Sequence, residues 1–368
     1  MDNKSLHIVF LDNPYPPDYG GAIDMFFKAK AIKELGYKLT LHVFEYGRPA
    51  NKELESLGEV FYYKRKKSFF SIFSILPFIV KTRRSKELLQ RLKSDSDPVL
   101  FEGLHTCRYL SKLKEKQTIV RTHNIEHDYY KELSSNASFF KRIYYLSEAR
   151  KLKRFEKKLR RANYLWVISE KDYAHFKKIN PSCFILPPCF EIESQVEKCP
   201  TKPYVLFHGN LSVEENKAAI YKIMDACFDL DYTVVIAGKN PDAELEQELS
   251  KFPNFELHAN PTSIELKKLI NQSQVQLLIT GQATGAKLKL IIGLCGNGQV
   301  IANDKILEGT TLSSYCIPID DASNMNEVIL NAFRNTISEG EHEKRIAYLK
   351  NYYNIQKNVE SLLNLLNK

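Results

Sequence analysis

Residues 6–44, LHIVFLDNPYPPDYGGAIDMFFKAKAIKELGYKLTLHVF, contain the strongest indication of the architecture. The apolar run at 6–11 predicts a β-strand, and the run at 38–44 predicts a second one. Between them, apolar residues recur at helical spacing over 22–35, and Gly36 follows as the expected helix C-cap. A strand, a glycine turn, a helix and a strand in this order predict parallel strands joined by crossover helices.

The same alternation of short apolar runs and helical stretches continues along the chain. Further strands of the first half are predicted at 59–63, 99–101, 118–121 and 164–168. A second series predicts strands at 204–208, 233–237, 255–258, 275–279, 300–302 and 316–319, with helices at 216–228, 241–251, 263–271 and 288–294. We therefore predict an α/β fold with two Rossmann-like domains that face each other across a cleft.

A polar segment at 191–203 without periodicity separates the two series and is interpreted as a linker. It divides the chain into an N-terminal domain at 1–190 and a C-terminal domain at 200–368, each near the size of one domain. The helical stretch at 341–366 packs on one domain or crosses back to the other, and the sequence leaves both possibilities open.

The composition is that of an ordinary globular chain, because 43% of its 368 residues are hydrophobic and 26% are charged. The longest apolar run, 68–80, is shorter than a membrane span and contains Pro77. Residues 1–11 are too short for a signal peptide, so we interpret them as a first strand of a cytoplasmic protein. Seven cysteines without a CxxC pair predict reduced thiols and no zinc knuckle.

Charge is divided unevenly between the two halves. Residues 1–190 hold 36 basic and 21 acidic residues, a net +15, whereas residues 191–368 hold 17 and 23, a net −6. The positive charge is concentrated at 64–67, ahead of aromatic residues, and at 141–161. This pattern suits an anionic membrane surface, and a solvated helix face is the alternative interpretation. No nucleic-acid partner is expected, since the sequence lacks a zinc, RNP-type or helix-turn-helix motif.

In doubly wound folds ligands bind beyond the carboxyl ends of the strands, so the polar loops there are candidate sites. The loop with Asp18, Gly20 and Gly21 precedes a helix, whose N-terminal N–H groups favour a phosphate or a sugar hydroxyl; a plain turn is the alternative. Polar side chains also follow the predicted strands at 99–101 and 118–121. They are Glu102, His105, His123, Asn124, Glu126 and His127. We interpret them as groups that hold sugar hydroxyls or share a proton, with hydrogen-bonded loop side chains as the alternative.

The spacing of His123 and His127 is only a weak zinc pattern without the HExxH order, and no metal is expected. Pairs of the form Asp-x-Asp at 95–97 and 229–231 are interpreted as surface turns.

In the second half, two strands end in glycine turns, which contain Gly209, Asn210, Gly238 and Lys239. The segment 280–289, TGQATGAKLK, opens a helix that carries two lysines, which favours a pyrophosphate site. Its candidate residues are Gln282, Thr284, Gly285, Lys287 and Lys289. The G-K-[ST] ending of a Walker loop is missing, and helix capping with solvated lysines is the alternative. Glu308, after another strand end, is a further candidate for the same ligand.

These motifs together resemble a family. The loop at 17–21, the Phe-x-Gly-Asn turn at 207–210 and Gly285-x-Lys287-x-Lys289 ahead of residues 298–301 are similar to those of GT-B glycosyltransferases of family four, over nearly the whole chain. The run at 122–127 and Asn216 resemble a bacterial subgroup that builds surface or protein-linked glycans.

The resemblance implies transfer of a sugar from a nucleotide-sugar to a glycan or lipid-linked acceptor, with retention at the anomeric carbon and without a metal or other cofactor. It implies that the donor binds mainly to the C-terminal domain and the acceptor mainly to the N-terminal one. Gly20 and Gly21 would approach the donor phosphate or the acceptor, His123 would be the cleft histidine, and Lys287 with Lys289 would neutralise the diphosphate. With the basic N-terminal half, this implies a hexosyltransferase-type enzyme bound peripherally to the cytoplasmic membrane face.

The chain departs from the family pattern at two places. Asn210 stands where the family has arginine, and Asn216, beside Lys217, stands near the place of the family's lysine. Around Gln282 and residues 290–293, no carboxylate matches the family's pair of glutamates. A non-catalytic sugar- or nucleotide-binding protein with the same fold is therefore the alternative function.

Overall fold

The computed structural model describes residues 4–68, 71–72, 74–135, 137–192, 203–228, 231–281, 287–320 and 324–367. Within these residues the chain forms two compact units, each with its own parallel sheet. The first unit takes its residues from 4–191 and 353–367, and the second takes them from 192–281 and 287–352. Most of the predicted linker lies outside the described residues, as does Cys199.

The described strands of the first unit are β1 (Ser5–Phe10), β2 (Lys38–Glu45), β3 (Glu59–Lys64), β4 (Val99–Glu102), β5 (Thr118–Arg121), β6 (Tyr164–Val167) and β7 (Cys183–Ile185). They pair in the order β3-β2-β1-β4-β5-β6-β7, and every pair is parallel. The helices are α1 (Gly20–Glu34), α2 (Lys52–Glu55), α3 (Phe78–Lys81), α4 (Lys86–Arg91), α5 (Glu126–Ser135), α6 (Phe139–Glu156) and α7 (Glu170–Phe176).

The first sheet is buried on both faces because successive side chains of a strand point to opposite sides. Ile8 and Phe10 of β1 pack into a core with residues of α1, whereas Val9 packs with residues of α4 and α6. This explains why the strands of the sequence are continuous apolar runs. Gly36 ends the turn after α1 at φ 86°, which confirms its predicted place as a C-cap.

The described strands of the second unit are β8 (Tyr204–Asn210), β9 (Thr233–Lys239), β10 (Phe255–Ala259), β11 (Val275–Leu278), β12 (Gln299–Asn303) and β13 (Ile317–Ile319). They are parallel and pair in the order β10-β9-β8-β11-β12-β13. The helices are α8 (Glu214–Cys227), α9 (Ala243–Leu249), α10 (Ser263–Gln272), α11 (Leu288–Cys295), α12 (Asp304–Leu307), α13 (Met325–Arg334) and α14 (Glu339–Tyr352). The predicted alternation of strands and helices is confirmed in both units.

The predicted terminal helix is divided into two helices that belong to different units. α14 stays in the second unit, where Arg345 donates hydrogen bonds to the carbonyls of Gly296 and Gly298. Asn354 then caps α15 (Ile355–Leu363), and Val359 and Leu363 pack into the core that contains α1. The chain therefore crosses back to the first unit at its end.

The described cysteines are free thiols, in line with the prediction of a reduced set. In the part of the chain that the structure describes, every helix falls short of the length and apolar character that a membrane span requires.

Candidate functional site

A group of buried charges lies at the carboxyl ends of β4 and β5 in the first unit. Glu102 ends β4 and Arg121 ends β5, and both side chains are fully buried. The Lys28 ammonium donates to Asp24 at 2.8 Å and lies 3.0 Å from a carboxylate oxygen of Glu102. Arg121 donates to both carboxylate oxygens of Asp24, at 3.1 and 2.8 Å. Two cations therefore balance two carboxylates in the interior.

The pKa values follow from this pairing. Burial alone raises the pKa of Asp24, but the charges of Arg121 and Lys28 outweigh it and hold the pKa well below its usual range. Burial lowers the pKa of Lys28, and the charges of Asp24 and Glu102 more than restore it. Asp24 and Lys28 therefore stay ionised below the loop that follows β5.

His123, in that loop, is held by the two carboxylates. Its Nε2 lies 3.0 Å from Glu102, and its Nδ1 lies 3.9 Å from Asp24. Gly103, at φ 74°, allows this approach, because a Cβ there would meet His105 at 3.0 Å and His123 at 3.5 Å. The structure therefore brings Glu102 and His123 together and fixes the imidazole in one orientation.

Glu126 and His105 form a second pair beside this group. His105 Nδ1 lies 3.8 Å from Glu126 Oε1, and within the described residues both atoms are buried without a hydrogen-bond partner. Burial raises the pKa of Glu126 to about 8, although the charge of Arg83 and the side chain of Asn124 oppose the shift. Burial and the charge of Arg83 hold the pKa of His105 well below its usual value. Buried polar atoms without partners are uncommon in folded proteins, so this pair is a candidate contact for a ligand.

His127 lies outside the group formed by Glu102, His105, His123 and Glu126. Its Nδ1 lies 3.2 Å from Glu156 at the end of α6, in a separate cluster with His175. Asp18 is ion-paired with Arg48, and Gly20 and Gly21 form the first turn of α1.

The second unit places a buried cation beside the loop that follows β8. Lys289, the second residue of α11, has its Nζ buried and without a hydrogen-bond partner among the described residues. That atom lies 3.8 Å from the centre of the Phe207 ring. Burial lowers the pKa of Lys289 to about 7. A buried ammonium without a counter-charge points to an anionic ligand.

His208 lies in the same buried environment and is close enough to Lys289 to be affected by its charge. Its Nε2 is buried without a hydrogen-bond partner among the described residues, and burial together with the charge of Lys289 lowers its pKa to about 3. The imidazole is therefore neutral next to Lys289.

The two predicted glycine turns are instead the last residues of adjacent strands, since Gly209 pairs with Gly238 and Asn210 with Lys239 where β8 and β9 end. A Cβ on Gly238 would come within 1.8 Å of the Gly209 carbonyl, so only glycine fits there. Asn216 donates to the carbonyl of Asn210 at 2.8 Å, which holds the turn after β8 in place.

The remaining candidates of the second unit are distributed as follows. Lys217, near the place of the family's lysine, forms an ion pair with Asp242. Lys287 is the N-cap residue of α11, and Glu308 is the exposed C-cap residue of α12. Gln282, Thr284 and Gly285 lie outside the described residues.

Sequence reasoning missed several residues of the site: Asp24, Lys28, Arg83, Arg121 and His208. A signal for two of them was present, since Asp24 and Lys28 are spaced i and i+4 on the buried face of α1, beside Ala31 and Ile32. Charged residues on an apolar helix face predict an internal partner.

No family model matches the chain. A protein of Klebsiella pneumoniae, described as an uncharacterized 44.6 kDa protein in the cps region, is 26% identical over 385 residues, which cover 92% of this chain and 97% of that protein.

Solved structures of similar fold cover nearly all of the chain. TarM of S. aureus, in complex with fondaparinux, α-GlcNAc-glycerol and UDP, matches with a TM-score of 0.67 at 11% identity, over 99% of this chain and 100% of its own. HepE of Anabaena, in complex with UDP and glucose, matches with a TM-score of 0.65 at 10% identity over 99% of both chains. WaaG, a glycosyltransferase involved in lipopolysaccharide biosynthesis, matches at 0.63 and 14%, over 98% of this chain and 99% of its own. The chain therefore has the two-domain α/β fold of GT-B glycosyltransferases, as the sequence predicts.

Proposed function

We propose that this protein is a glycosyltransferase of bacterial glycan biosynthesis, which moves a sugar from a nucleotide-sugar to a glycan or lipid-linked acceptor. The buried ammonium of Lys289, whose Nζ has no hydrogen-bond partner among the described residues, carries this proposal. The GT-B fold and the relative in a cps region support it.

For the donor, we propose that the second unit binds the nucleoside diphosphate. A diphosphate would supply the negative charge that Lys289 lacks, and Lys287 would add a second cation at the start of α11. Gly209 and Gly238, at the ends of β8 and β9, would let the main chain approach the donor closely. Because UDP is bound in the TarM and HepE structures, a uridine nucleotide is our first choice.

The leaving nucleoside diphosphate gains negative charge as its bond to the sugar breaks. The cations of Lys287 and Lys289 would stabilise that charge, which is the main catalytic contribution that we propose. The transfer would then proceed without a metal and with retention at the anomeric carbon.

For the acceptor, we propose that the first unit binds the sugar that receives the transfer. The imidazole of His123 is fixed through Nε2 by Glu102 at 3.0 Å, so its Nδ1, which lies 3.9 Å from Asp24 and beyond hydrogen-bond distance, is the nitrogen that would meet a hydroxyl group. Glu126, His105 and Asn124 would contribute further polar contacts. Chain packing alone does not explain the two unpartnered buried atoms of Glu126 and His105.

The first turn of α6 favours a lipid-linked acceptor. Phe139 and Phe140 are 71% and 82% exposed, and Lys141 and Arg142 follow directly. Exposed aromatic side chains beside cations are typical of segments that bind the interface of an anionic bilayer. We therefore propose a peripheral location at the cytoplasmic face of the membrane.

Isothermal titration calorimetry with UDP, GDP, CMP and their sugar conjugates, with and without added Mg²⁺, tests the donor site. We expect one nucleotide to bind equally well in both conditions. Lys289→Met should lower its affinity by about 10- to 100-fold, since a charge-assisted contact is lost. Lys251→Met is the matched control, because Lys251 is exposed and pairs with Glu248.

Unchanged nucleotide affinity in Lys289→Met, or no nucleotide binding at all, would contradict the donor site. Product formation from the bound nucleotide-sugar then tests the transfer. A chain that binds the donor but releases no product with a panel of glycan and lipid-linked acceptors would be the non-catalytic alternative.

A further inference from the structure

Two histidines and a glutamate meet in the first unit, outside the group around His123. His127 comes from the first turn of α5, Glu156 ends α6, and His175 lies on α7. His127 Nδ1 lies 3.2 Å from Glu156 Oε2, and His175 Nε2 lies 2.8 Å from Glu156 Oε1. One ligand atom from each residue lies within 4.8 Å of the others. Side chains from three helices, distant in sequence, therefore point to one place.

The distances fit the coordination shell of a small metal ion. Ligand atoms at about 2.0–2.1 Å from a tetrahedral zinc ion lie roughly 3.4 Å from one another. His127 and His175 contact different oxygens of Glu156, at 3.2 and 2.8 Å, so the carboxylate would bind an ion through both oxygens or turn to present one of them. The imidazole rings of His127 and His175 have centroids 5.4 Å apart.

The second nitrogen of His127 provides an independent indication. Its Nε2 lies 3.5 Å from a carboxylate oxygen of Asp128. Metal-bound histidines usually direct their other N–H to a carboxylate or a carbonyl, which fixes the ring and strengthens the ligand. With Nδ1 on an ion, Nε2 would keep Asp128 as its second partner, as in carboxylate–histidine–metal sites, although Lys131 also contacts that Asp128 oxygen, at 2.8 Å.

Two other groups of the described residues bring histidine and carboxylates together, but each already holds a cation. In the group of Asp24, Glu102 and His123, the positive charge comes from Lys28 and Arg121. In the group of His7, Asp95 and Asp97, Lys116 lies 2.6 Å from Asp95. The hydrogen bonds and ion pairs of Glu156 within the described residues go to the two imidazoles alone.

The cluster is exposed to solvent on the side of His175. The side chains of His127 and Glu156 are 4% exposed, whereas that of His175 is 28% exposed. An ion can therefore enter beside His175, and a water molecule can complete its shell. Two imidazoles and one carboxylate favour zinc over magnesium or calcium, which prefer oxygen ligands.

We propose that His127, Glu156 and His175 bind a zinc ion that ties the start of α5 to the end of α6 and to α7. The site goes beyond the proposed transfer, for which we propose no metal. The weak zinc pattern of the sequence consisted of His123 and His127. Of these two, only His127 belongs to the proposed site, because His123 bonds to Glu102.

The test uses the full chain without an affinity tag, freed of metal with a chelator and dialysed. Competition with a zinc indicator dye should show one high-affinity zinc ion per chain, and Co²⁺ should give the visible absorption of a tetrahedral site. His175→Ala should weaken zinc binding at least ~100-fold, since a direct ligand is lost. His258→Ala is the matched control, because His258 is an exposed histidine of the second unit, with Glu256 3.9 Å away as an ion-pair partner.

A thermal unfolding measurement separates zinc binding from a simple loss of packing. Zinc should raise the melting temperature of the wild type and of His258→Ala, but not that of a folded His175→Ala. Stoichiometric zinc that His175→Ala retains, or no zinc binding by the wild type, would overturn the proposal and leave a hydrogen-bonded His–Glu–His cluster. Neither measurement uses a nucleotide-sugar, so its failure would leave the proposed transfer untouched.

Discussion

Lys289 has a buried Nζ that makes no hydrogen bond within the part of the chain that the structure describes. Its Nζ is buried against the Phe207 ring, and burial lowers its pKa from 10.5 to about 7. Burying this charge destabilises the nucleotide-free protein, and a bound phosphate would offset that destabilisation. Lys289 therefore favours donor binding but lowers the stability of the protein without the donor.

Replacing Lys289 by methionine should stabilise the nucleotide-free protein. The pKa of Lys289 is about 7 in the folded protein and 10.5 in the unfolded chain, so between these pH values the unfolded state binds more protons. The loss of folding free energy caused by Lys289 is therefore greatest below pH 7 and falls to zero towards pH 10.5. Urea unfolding should show Lys289→Met to be more stable by about 2 kcal/mol or more at pH 6, with a smaller gain at pH 9. Lys251→Met should show no such difference, and equal stability of Lys289→Met and wild type at pH 6 would rule out a buried ammonium.

His123 is predicted to act in transfer and not in donor binding. Its imidazole is fixed by Glu102 in the first unit, whereas the proposed diphosphate site is in the second. His123→Ala should therefore reduce kcat by about 10²-fold or more at unchanged UDP affinity, the range for a positioned polar catalytic group. His258→Ala serves as the control, and a loss of UDP binding in His123→Ala would place the histidine at the donor instead.

Among the helices, α6 has two dissimilar ends. Its second half is buried through Ala149, Leu152 and Phe155, whereas its first turn exposes Phe139 and Phe140. An exposed apolar turn lacks the packing that stabilises most helices, so it is available for a lipid interface.

The double change Phe139→Ser and Phe140→Ser should weaken binding to vesicles with phosphatidylglycerol at least tenfold, because both aromatic anchors are lost. Sedimentation at low salt measures it. Phe228→Ser is the matched control, since Phe228 is a 55% exposed phenylalanine of the second unit. Equal vesicle binding of the double variant and the wild type would exclude this turn as the anchor.

At the scale of the whole molecule, the chain completes the first unit only with its last residues. Tyr164 and Gln117 donate hydrogen bonds to the carbonyls of Leu365 and Leu366, and Gln356 donates to Glu34. The first unit is thus discontinuous in sequence, and its stability depends on α15.

Leu363→Ala should lower the stability of the first unit by about 2–4 kcal/mol, because a buried leucine of its core leaves a cavity. Hydrogen exchange should show faster opening of amides in β1 and α1, with little change in β8 and β9. Glu360→Ala, on the exposed face of the same helix, should change stability by less than about 0.5 kcal/mol. A uniform increase of exchange in both units would instead show that they unfold together.

Much of the fold and part of the site follow from the sequence. The strand at 118–121 and the polar run after it were predicted, and Glu102 and His123 do meet. The prediction failed to foresee that His127 would turn to Glu156 and His175, because its direction depends on the rotation of α5 against α6 and α7. Neighbouring positions on a helix point about 100° apart, so Glu126 and His127 enter different groups.

The order of strands and helices follows from local patterns, and helices between successive strands favour parallel pairing, so the sequence alone sufficed for these features. Apolar periodicity and left-handed backbone positions depend on neighbouring residues only. The partners of Asp24, Lys28 and Arg121, the isolation of Lys289 and the return of α15 required the tertiary structure. These features depend on which strands become adjacent and on which side chains packing then removes from water, and a one-dimensional pattern does not contain that information.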